Sequence, residues 1–307
     1  EDLRVSSMQT EKFIDELYRI GIVGIAGRMG CWLADYFTKL GHDVVGYDIL
    51  QTNYPTEKSP KELAQKADIV VVSVPFNITE EVIRDTGPYL KEGSLFTDVT
   101  SIKYKPVKAM MESSSEGVEV IGTHPMFAPR VKSIRGQTVV FTPTRAEYWT
   151  SRWRDIFEKE GADVVETTPE KHDRIMAIVQ GLTHARNIGY AMALKELIKE
   201  WGIDVEETMK FTSPVYRIEQ GMTARILNQD PELYASIQMC NQDSQHALKT
   251  FMGAIERLRE IVSRNEVEPF IEEFKECRNI YGELAEELVA ETDFFIKQLV
   301  RYQDEKI

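Results

Sequence analysis

Short apolar runs alternate with stretches of helical periodicity through the first half of the chain. Strands that alternate with helices in this way predict a doubly wound, parallel sheet of the α/β class. The run at 68–74 (DIVVVSV) is apolar on both faces, as expected for a sheet that helices cover on both sides. The predicted strands are Arg19–Ile25, Asp43–Tyr47, Asp68–Val74, Ser94–Asp98, Val118–Gly122, Gln137–Phe141 and Asp163–Glu166.

The pattern changes after Thr168, where strand-like runs disappear. Pro169 suits the first turn of a helix, and periodic apolar positions continue from there to the end of the chain. The last two stretches exceed the usual length of roughly 8–20 residues, and helices of that length often pack against a partner subunit. The predicted helices are Pro169–Trp201, Val205–Lys210, Val215–Asn228, Pro231–Ser263 and Glu268–Tyr302.

The charge and the cysteines exclude several classes of protein. The net charge of −13 argues against binding to nucleic acid or to an anionic membrane, because both partners require a basic surface. No run of about 18 apolar residues is present, and Glu1–Glu16 lacks the basic and apolar order of a secretion signal. Cys31, Cys240 and Cys277 form no metal or redox motif. We therefore expect a cytoplasmic protein with a small-molecule substrate and no bound metal.

A glycine-rich loop at 24–30 (GIAGRMG) lies between the first predicted strand and the first helix. Glycine allows a sharp turn, and the free N–H groups of the helix start can hold a pyrophosphate. Asp48 ends the second strand, where an acid accepts hydrogen bonds from the adenosine ribose and repels a 2′-phosphate, so NAD is favoured over NADP. The commoner G-x-G-x-x-G pattern would place a glycine at Ile25, whereas this chain has Gly24.

Together these features predict two domains. Residues 1–168 are expected to form an NAD-binding Rossmann domain with an N-terminal extension at 1–18, and residues 169–307 an all-α helical domain for substrate binding and dimerisation. Ligands of such sheets lie beyond the carboxyl ends of the strands. The residues predicted to bind the cofactor are Gly24, Gly27, Arg28, Met29, Gly30, Asp48, Ser73, Pro75, Asp98 and Thr100.

The carboxyl ends of the later strands also supply candidates for catalysis. His124 follows a buried strand, and Pro125 disfavours helical geometry at His124 and keeps it extended. A histidine of near-neutral pKa can take the proton from a hydroxyl while a hydride leaves the same carbon. Ser101 ends the neighbouring strand and can hydrogen-bond the same hydroxyl. The alternatives are a histidine packed against a loop and a serine that caps a helix.

Three segments together resemble prephenate dehydrogenases: 121–129 (IGTHPMFAP), 98–103 (DVTSIK) and 216–234 (YRIEQGMTARILNQDPELY). Ala128 stands where that family usually has glycine. The resemblance implies NAD-dependent oxidation of prephenate, with release of carbon dioxide and 4-hydroxyphenylpyruvate, in tyrosine biosynthesis. It also implies that His124 polarises the ring hydroxyl and that Ser101 assists it.

The resemblance implies further roles in the helical domain. Prephenate is a dianion, and arginine binds a carboxylate through two parallel hydrogen bonds. Arg225 matches the ligand of the ring carboxylate, while Arg217, roughly 80° away around the same helix, binds substrate or braces the site. His184 faces the substrate, and Gln180 lies one turn earlier on the same face. His124 and Arg225 are then expected to bind one substrate from opposite sides.

Other functions remain open from the sequence. Arogenate dehydrogenase uses the same chemistry on a substrate with an amino group in place of the keto group. A β-hydroxyacid dehydrogenase would need a lysine early in the helical domain, where Lys171 is poorly placed. A third alternative is a non-catalytic, NAD-binding regulatory protein. Enzymes of tyrosine biosynthesis are commonly feedback-regulated, so a response to tyrosine is a further possibility.

Overall fold

The computed structural model describes residues 16–305, which divide into two compact units. The first unit ends at Met176 and the second begins at Ala177. Most of the extension predicted at 1–18 lies outside the described residues. The first unit runs eight residues beyond the predicted boundary at Thr168, because backbone N–H groups of the first unit donate to Asp173.

The first unit is built on a seven-stranded sheet with the order β2-β1-β3-β4-β5-β6-β7. Neighbouring strands are parallel except for β5 and β6, which pair antiparallel. The chain moves outward from β1 to β2 and returns to β3, so the order reverses between β1 and β3. The strands are β1 Arg19–Val23, β2 Asp43–Tyr47, β3 Ile69–Val72, β4 Leu95–Asp98, β5 Glu119–Pro125, β6 Thr138–Arg145 and β7 Asp163–Glu166.

Two apolar cores lie on the two faces of this sheet. One contains Phe37, Trp153 and Phe157 from α1 and α5, and the other contains Leu63 and Met110 from α2 and α4. Side chains of the central strands alternate between the two cores, which is why these strands are apolar at nearly every position. The helices of this unit are α1 Arg28–Lys39, α2 Pro60–Lys66, α3 Phe76–Thr86, α4 Tyr104–Ser113, α5 Tyr148–Glu158 and α6 Pro169–Met176.

The predicted fold class is confirmed, with one difference in strand direction. Every predicted strand is present, and the ends differ by no more than four residues. The antiparallel β6 departs from the fully parallel sheet that was predicted. The alternation of apolar residues reads the same in both directions along a strand, so it does not distinguish the two pairings.

The second unit is helical throughout its described residues. A π-helical segment, Ala177–Leu182, precedes α7. Helices α7 and α9 are joined by a buried hydrogen bond in which the Thr223 hydroxyl donates to Oδ1 of Asn187. No helix among the described residues is both long and apolar enough to cross a membrane. The helices are α7 Thr183–Trp201, α8 Val205–Lys210, α9 Pro214–Leu227, α10 Pro231–Cys240, α11 Gln242–Ser263, α12 Val267–Tyr281 and α13 Leu284–Asp304.

The last two predicted helices are not continuous in the structure. The stretch Pro231–Ser263 is broken at Asn241, whose side chain accepts a hydrogen bond from the N–H of Asp243 and so caps a new helix. The stretch Glu268–Tyr302 is broken at Gly282, which has a φ of 52°. Side chains that cap and glycines with positive φ end helices even where the apolar periodicity continues.

Replacing Trp153 with phenylalanine should destabilise the first unit. Trp153 is buried, and its indole N–H donates to the hydroxyl of Thr123, next to His124. The loss of this bond and of part of the ring should cost about 1–2 kcal/mol of unfolding free energy. Urea unfolding followed by circular dichroism measures it. The control Trp201→Phe changes an exposed ring and should leave the midpoint unchanged; equal midpoints for both variants would contradict the expectation.

Candidate active site

The glycine loop after β1 lies at the point where the strand order reverses. Gly24 has a φ of 91°, and a Cβ atom on it would lie 2.3 Å from the carbonyl oxygen of Ser73, which follows β3. A Cβ atom on Gly30 would lie 2.1 Å from the carbonyl oxygen of Gly24. Both positions therefore require glycine, and the sharp turn lies at Gly24 rather than at Ile25.

The first turn of α1 fits a bound pyrophosphate. Gly27 caps the helix without a side-chain hydrogen bond, and the first turn contains no acidic residue. Its backbone N–H groups can thus hold phosphate oxygens. Arg28 is exposed at the first position of the helix, while Met29 packs against the apolar core. The residues present therefore fit a dinucleotide on this loop.

Asp48 connects the glycine loop to the end of β2. Its Oδ2 accepts a hydrogen bond from the N–H of Ala26 at 2.8 Å, and its Oδ1 accepts one from the N–H of Leu50 at 2.9 Å. Each carboxylate oxygen has a second lone pair, so both can still accept a bond from a ribose hydroxyl. Asp48 thus fixes the loop while keeping acceptors for a sugar.

A buried ion pair occupies the end of β4. The Lys103 ammonium donates to Oδ2 of Asp98 at 2.5 Å and to the carbonyl oxygen of Thr123 at 2.8 Å. Thr100 also binds Asp98 through its backbone N–H. Asp98 and Lys103 are both fully buried, and Oδ1 of Asp98 has no hydrogen-bond partner among the described residues. Ser101 lies in the same loop and is half-buried.

His124 lies near the carboxyl end of β5 and contacts a second histidine. Its Nδ1 is 2.9 Å from Nε2 of His172, and Nδ1 of His172 is 2.7 Å from Oδ1 of Asp173. Asp173 also accepts hydrogen bonds from the backbone N–H groups of Lys103 and Tyr104 at 2.7 and 3.0 Å. Helix α6 therefore supplies an imidazole and a carboxylate that form a row of contacts leading away from His124.

The surroundings hold both histidines in the neutral form. Burial lowers the pKa of His124 well below its usual value, and the nearby His172 and the Lys103 ammonium lower it further. Burial also lowers the pKa of His172, although the hydrogen bond to Asp173 opposes this effect. A neutral imidazole has a nitrogen lone pair that can accept a proton near neutral pH.

The loop after β5 is attached to the helix that starts at the glycine loop. The Trp32 indole N–H donates to the carbonyl oxygen of Val131 at 3.0 Å, and the ring of Phe127 packs edge-on against Trp32 at 5.0 Å. The strand that carries His124 and the helix that fits a pyrophosphate therefore belong to one packed body.

In the second unit, the π-helical segment leads to two of the predicted substrate residues. Gly181 in this segment packs so closely on α11 that a Cβ atom would lie 2.6 Å from the Ser244 hydroxyl. Gln180 precedes it and is half-buried. The His184 ring lies edge-on to Tyr234 at 4.8 Å, and its buried Nδ1 has no hydrogen-bond partner among the described residues. Such π-helical insertions occur frequently at functional sites.

The two predicted arginines have different surroundings on α9. Arg217 is half-buried and donates to the amide oxygen of Gln303 on α13 from its Nε at 2.7 Å, in the amide orientation that satisfies both groups. Arg225 is exposed, and its charge acts to lower the pKa of Tyr234, which burial raises. The bond to Gln303 favours a role for Arg217 in bracing α9 against α13. Binding of substrate by Arg225 stays a prediction.

His172 is not among the site residues that the sequence predicts. Its pair Asp173 follows it directly, and both stand in the first two turns of a helix that begins at Pro169. The only sequence signal was this adjacent histidine and acid. His124 and His172 are 48 residues apart in the sequence, and nothing in the chain between them indicates that the two rings touch.

Comparison with known proteins gives a consistent result for both units. The nucleotide-binding domain of prephenate dehydrogenase matches residues 43–166, and the dimerization domain matches residues 168–276. A probable arogenate/prephenate dehydrogenase of Methanocaldococcus jannaschii is 41% identical over 275 residues, which are 86% of this chain and 61% of that protein. The T-protein of Haemophilus influenzae is 29% identical over 286 residues, which are 92% of this chain and 72% of that protein.

A solved structure has the same fold. The prephenate dehydrogenase from A. aeolicus, in complex with hydroxyphenyl propionate and NAD⁺, superposes with a TM-score of 0.68 at 22% identity and covers 88% of this chain and 99% of its own. The two domain matches follow one another along the chain in the same order as the two units. By these matches, which together extend from residue 43 to residue 276, this chain belongs to the prephenate dehydrogenase family.

Proposed function

We propose that this protein is an NAD-dependent prephenate dehydrogenase of tyrosine biosynthesis, which converts prephenate to 4-hydroxyphenylpyruvate and carbon dioxide. The observation that carries the proposal is His124, a buried, neutral imidazole at the carboxyl end of β5, beside the strand ends where a dinucleotide fits. The family membership supports it, since the M. jannaschii relative is named as a probable arogenate/prephenate dehydrogenase.

Two residues of the first unit, His124 and Ser101, act on the hydroxyl group of the substrate. His124 accepts the proton of the ring hydroxyl, and Ser101 hydrogen-bonds the same oxygen. NAD bound on the glycine loop would supply the acceptor for the hydride of the ring carbon that carries the hydroxyl. The ring carboxylate then leaves as carbon dioxide, and the aromatic ring that forms makes the conversion effectively irreversible. The burial of His124 excludes water from the proton acceptor.

The choice of NAD over NADP rests on Asp48. A 2′-phosphate would bring negative charge against this carboxylate, whereas a ribose hydroxyl can donate to it. Gly24, Gly27, Arg28, Met29 and Gly30 would hold the pyrophosphate, with Ser73, Pro75, Asp98 and Thr100 toward the nicotinamide. The neighbouring Arg28 is the one cation of the loop that could reduce this preference.

The substrate is held by cations of the helical unit. Arg225 would bind the ring carboxylate, with His184 and Gln180 beside the substrate and Arg217 as a brace. Arogenate differs from prephenate only at the side chain, so an assay of both substrates distinguishes the two activities. A homodimer through the helical unit fits the match to a dimerization domain and the exposed rings of Phe274, Phe294 and Phe295.

Replacing His124 with asparagine should nearly abolish turnover. Asparagine keeps a polar side chain but has no nitrogen that accepts a proton, so kcat should fall by about 10²–10⁴-fold. KM should change little, because the proton acceptor acts mainly in the transition state. NADH absorbance with prephenate and NAD gives both constants. The control His246→Asn alters an exposed histidine of α11; a His124 variant with more than about a tenth of the rate would remove His124 from this role.

Replacing Arg225 with alanine should mainly weaken substrate binding. The loss of a charge-assisted bond of about 1.5–3 kcal/mol corresponds to a KM for prephenate that is roughly 10- to 150-fold higher. The control Arg84→Ala removes an exposed arginine that pairs with Glu112 on the surface of the first unit. An unchanged KM in the Arg225 variant would mean that another cation binds the carboxylate.

Replacing Asp48 with asparagine should shift the cofactor preference. The amide no longer repels a 2′-phosphate, so the ratio of kcat/KM for NAD to that for NADP should fall by about tenfold or more. The control Asp43→Asn lies at the amino end of the same strand, where its carboxylate pairs with Arg19. A ratio that stays constant in the Asp48 variant would place the discrimination elsewhere.

A further inference from the structure

Two buried side chains of α6, those of His172 and Asp173, have no role in the function proposed above. His172 is buried, with its Nε2 2.9 Å from Nδ1 of His124, and it follows a helix start that Thr168 caps through a bond from the N–H of Lys171. Asp173 is buried next to it and accepts from His172 and from two backbone N–H groups. Together they form a chain of three side chains that ends at His124.

The direction of the hydrogen bonds follows from the acceptor at the far end. Asp173 receives two backbone N–H donors, which suits an ionised carboxylate, and a carboxylate can only accept. The short contact to Nδ1 of His172 therefore requires the proton of that ring to be on Nδ1. Neutral His172 then has its lone pair on Nε2, which must accept from Nδ1 of His124.

We propose that His172, held by Asp173, fixes His124 in the tautomer with its proton on Nδ1, so that Nε2 of His124 is the nitrogen that receives the substrate proton. This inference rests on the proposed function, and it makes His172 a positioning residue. In the reaction, the O–H bond of the substrate breaks and an N–H bond forms at Nε2 of His124. The O–H electron pair becomes the second bond of the carbonyl as the hydride leaves the ring carbon for the nucleotide.

The same arrangement accommodates the charge that forms on His124. Once protonated, the ring is an imidazolium whose Nδ1–H already has an acceptor in His172, and Asp173 lies behind it as a carboxylate. The charged groups near this pair include Lys103 and Asp98 from the β4 loop and Asp173 from α6. An oriented acceptor of this kind both selects the tautomer and stabilises the cation, as a buried carboxylate does for histidine in serine proteases.

Side-chain length provides a discriminating set of variants. In His172→Gln, the amide reaches the position of Nε2 and can accept from His124. In His172→Asn, the shorter amide reaches only the position of Nδ1, so it can bind Asp173 but not His124. We expect the glutamine variant to retain at least about a tenth of kcat, and the asparagine variant to lose about 100-fold or more, with KM for prephenate within about threefold in both.

A matched control is available in the same unit. His42 is also buried, but it lies before the amino end of β2, where its Nδ1 accepts from the N–H of Tyr18. His42→Gln should therefore leave kcat and KM unchanged. Equal losses in the glutamine and asparagine variants of His172, or a kcat within about threefold of the wild type in the asparagine variant, would overturn the proposal.

A spectroscopic measurement tests the tautomer without any turnover. The chain has five histidines, so ¹⁵N-histidine labelling gives a small set of ring signals, assigned with the variants of His124 and His172. At about pH 8, where the rings are neutral, His124 should show a protonated Nδ1 and an unprotonated Nε2, and His172→Asn should lose this pattern. A proton on Nε2 of His124 in the wild type would overturn the proposal. If the protein oxidises neither prephenate nor arogenate, the proposed function fails, while these spectra still decide the tautomer.

Discussion

The buried ammonium of Lys103 needs partners, and this need constrains the part of the first unit around His124. Lys103 has no exposed side-chain surface, and its charge is balanced by Asp98 at the end of β4. Its remaining bonds reach the carbonyl oxygen of Thr123 on β5 and, through the backbone N–H, Asp173 on α6. A buried charge is stable only when an opposite charge or hydrogen-bond acceptors lie close to it. Strands β4 and β5 and helix α6 must therefore meet in one register, and that register brings His172 against His124.

The same ammonium has an electrostatic effect on the two imidazoles. A positive charge close to both rings disfavours a second one, so it adds to burial in keeping them neutral. Asp98 and Asp173 oppose this effect at His172. The pKa of His124 is thus lowered further than that of His172, which lies next to the Asp173 carboxylate. This difference suits the role proposed for His124, which must be unprotonated before the substrate binds and positively charged after it accepts the proton.

Local patterns predicted the sheet and the position of His124 near the carboxyl end of a strand, whereas contacts between distant segments were not predicted. The apolar runs of β1 to β5 and the glycine loop are local features, and their positions follow from periodicity and from the positive φ that Gly24 requires. The direction of β6 depends on its neighbour and leaves no trace in the alternation. The break at Asn241 depends on one side-chain bond, which periodicity does not record. His172 became visible only when the sheet and α6 brought it to His124.

The contact between α1 and the loop that follows β5 has a consequence for the reaction proposed above. Trp32 contacts the loop through Val131 and Phe127, so α1 and the loop that follows β5 are packed together. Groups that are held in position before a reaction need no further alignment when the reactants bind. If His124 acts as proposed, the entropy of aligning it with the glycine loop is therefore lost once, when the chain folds, and is not lost again in every turnover.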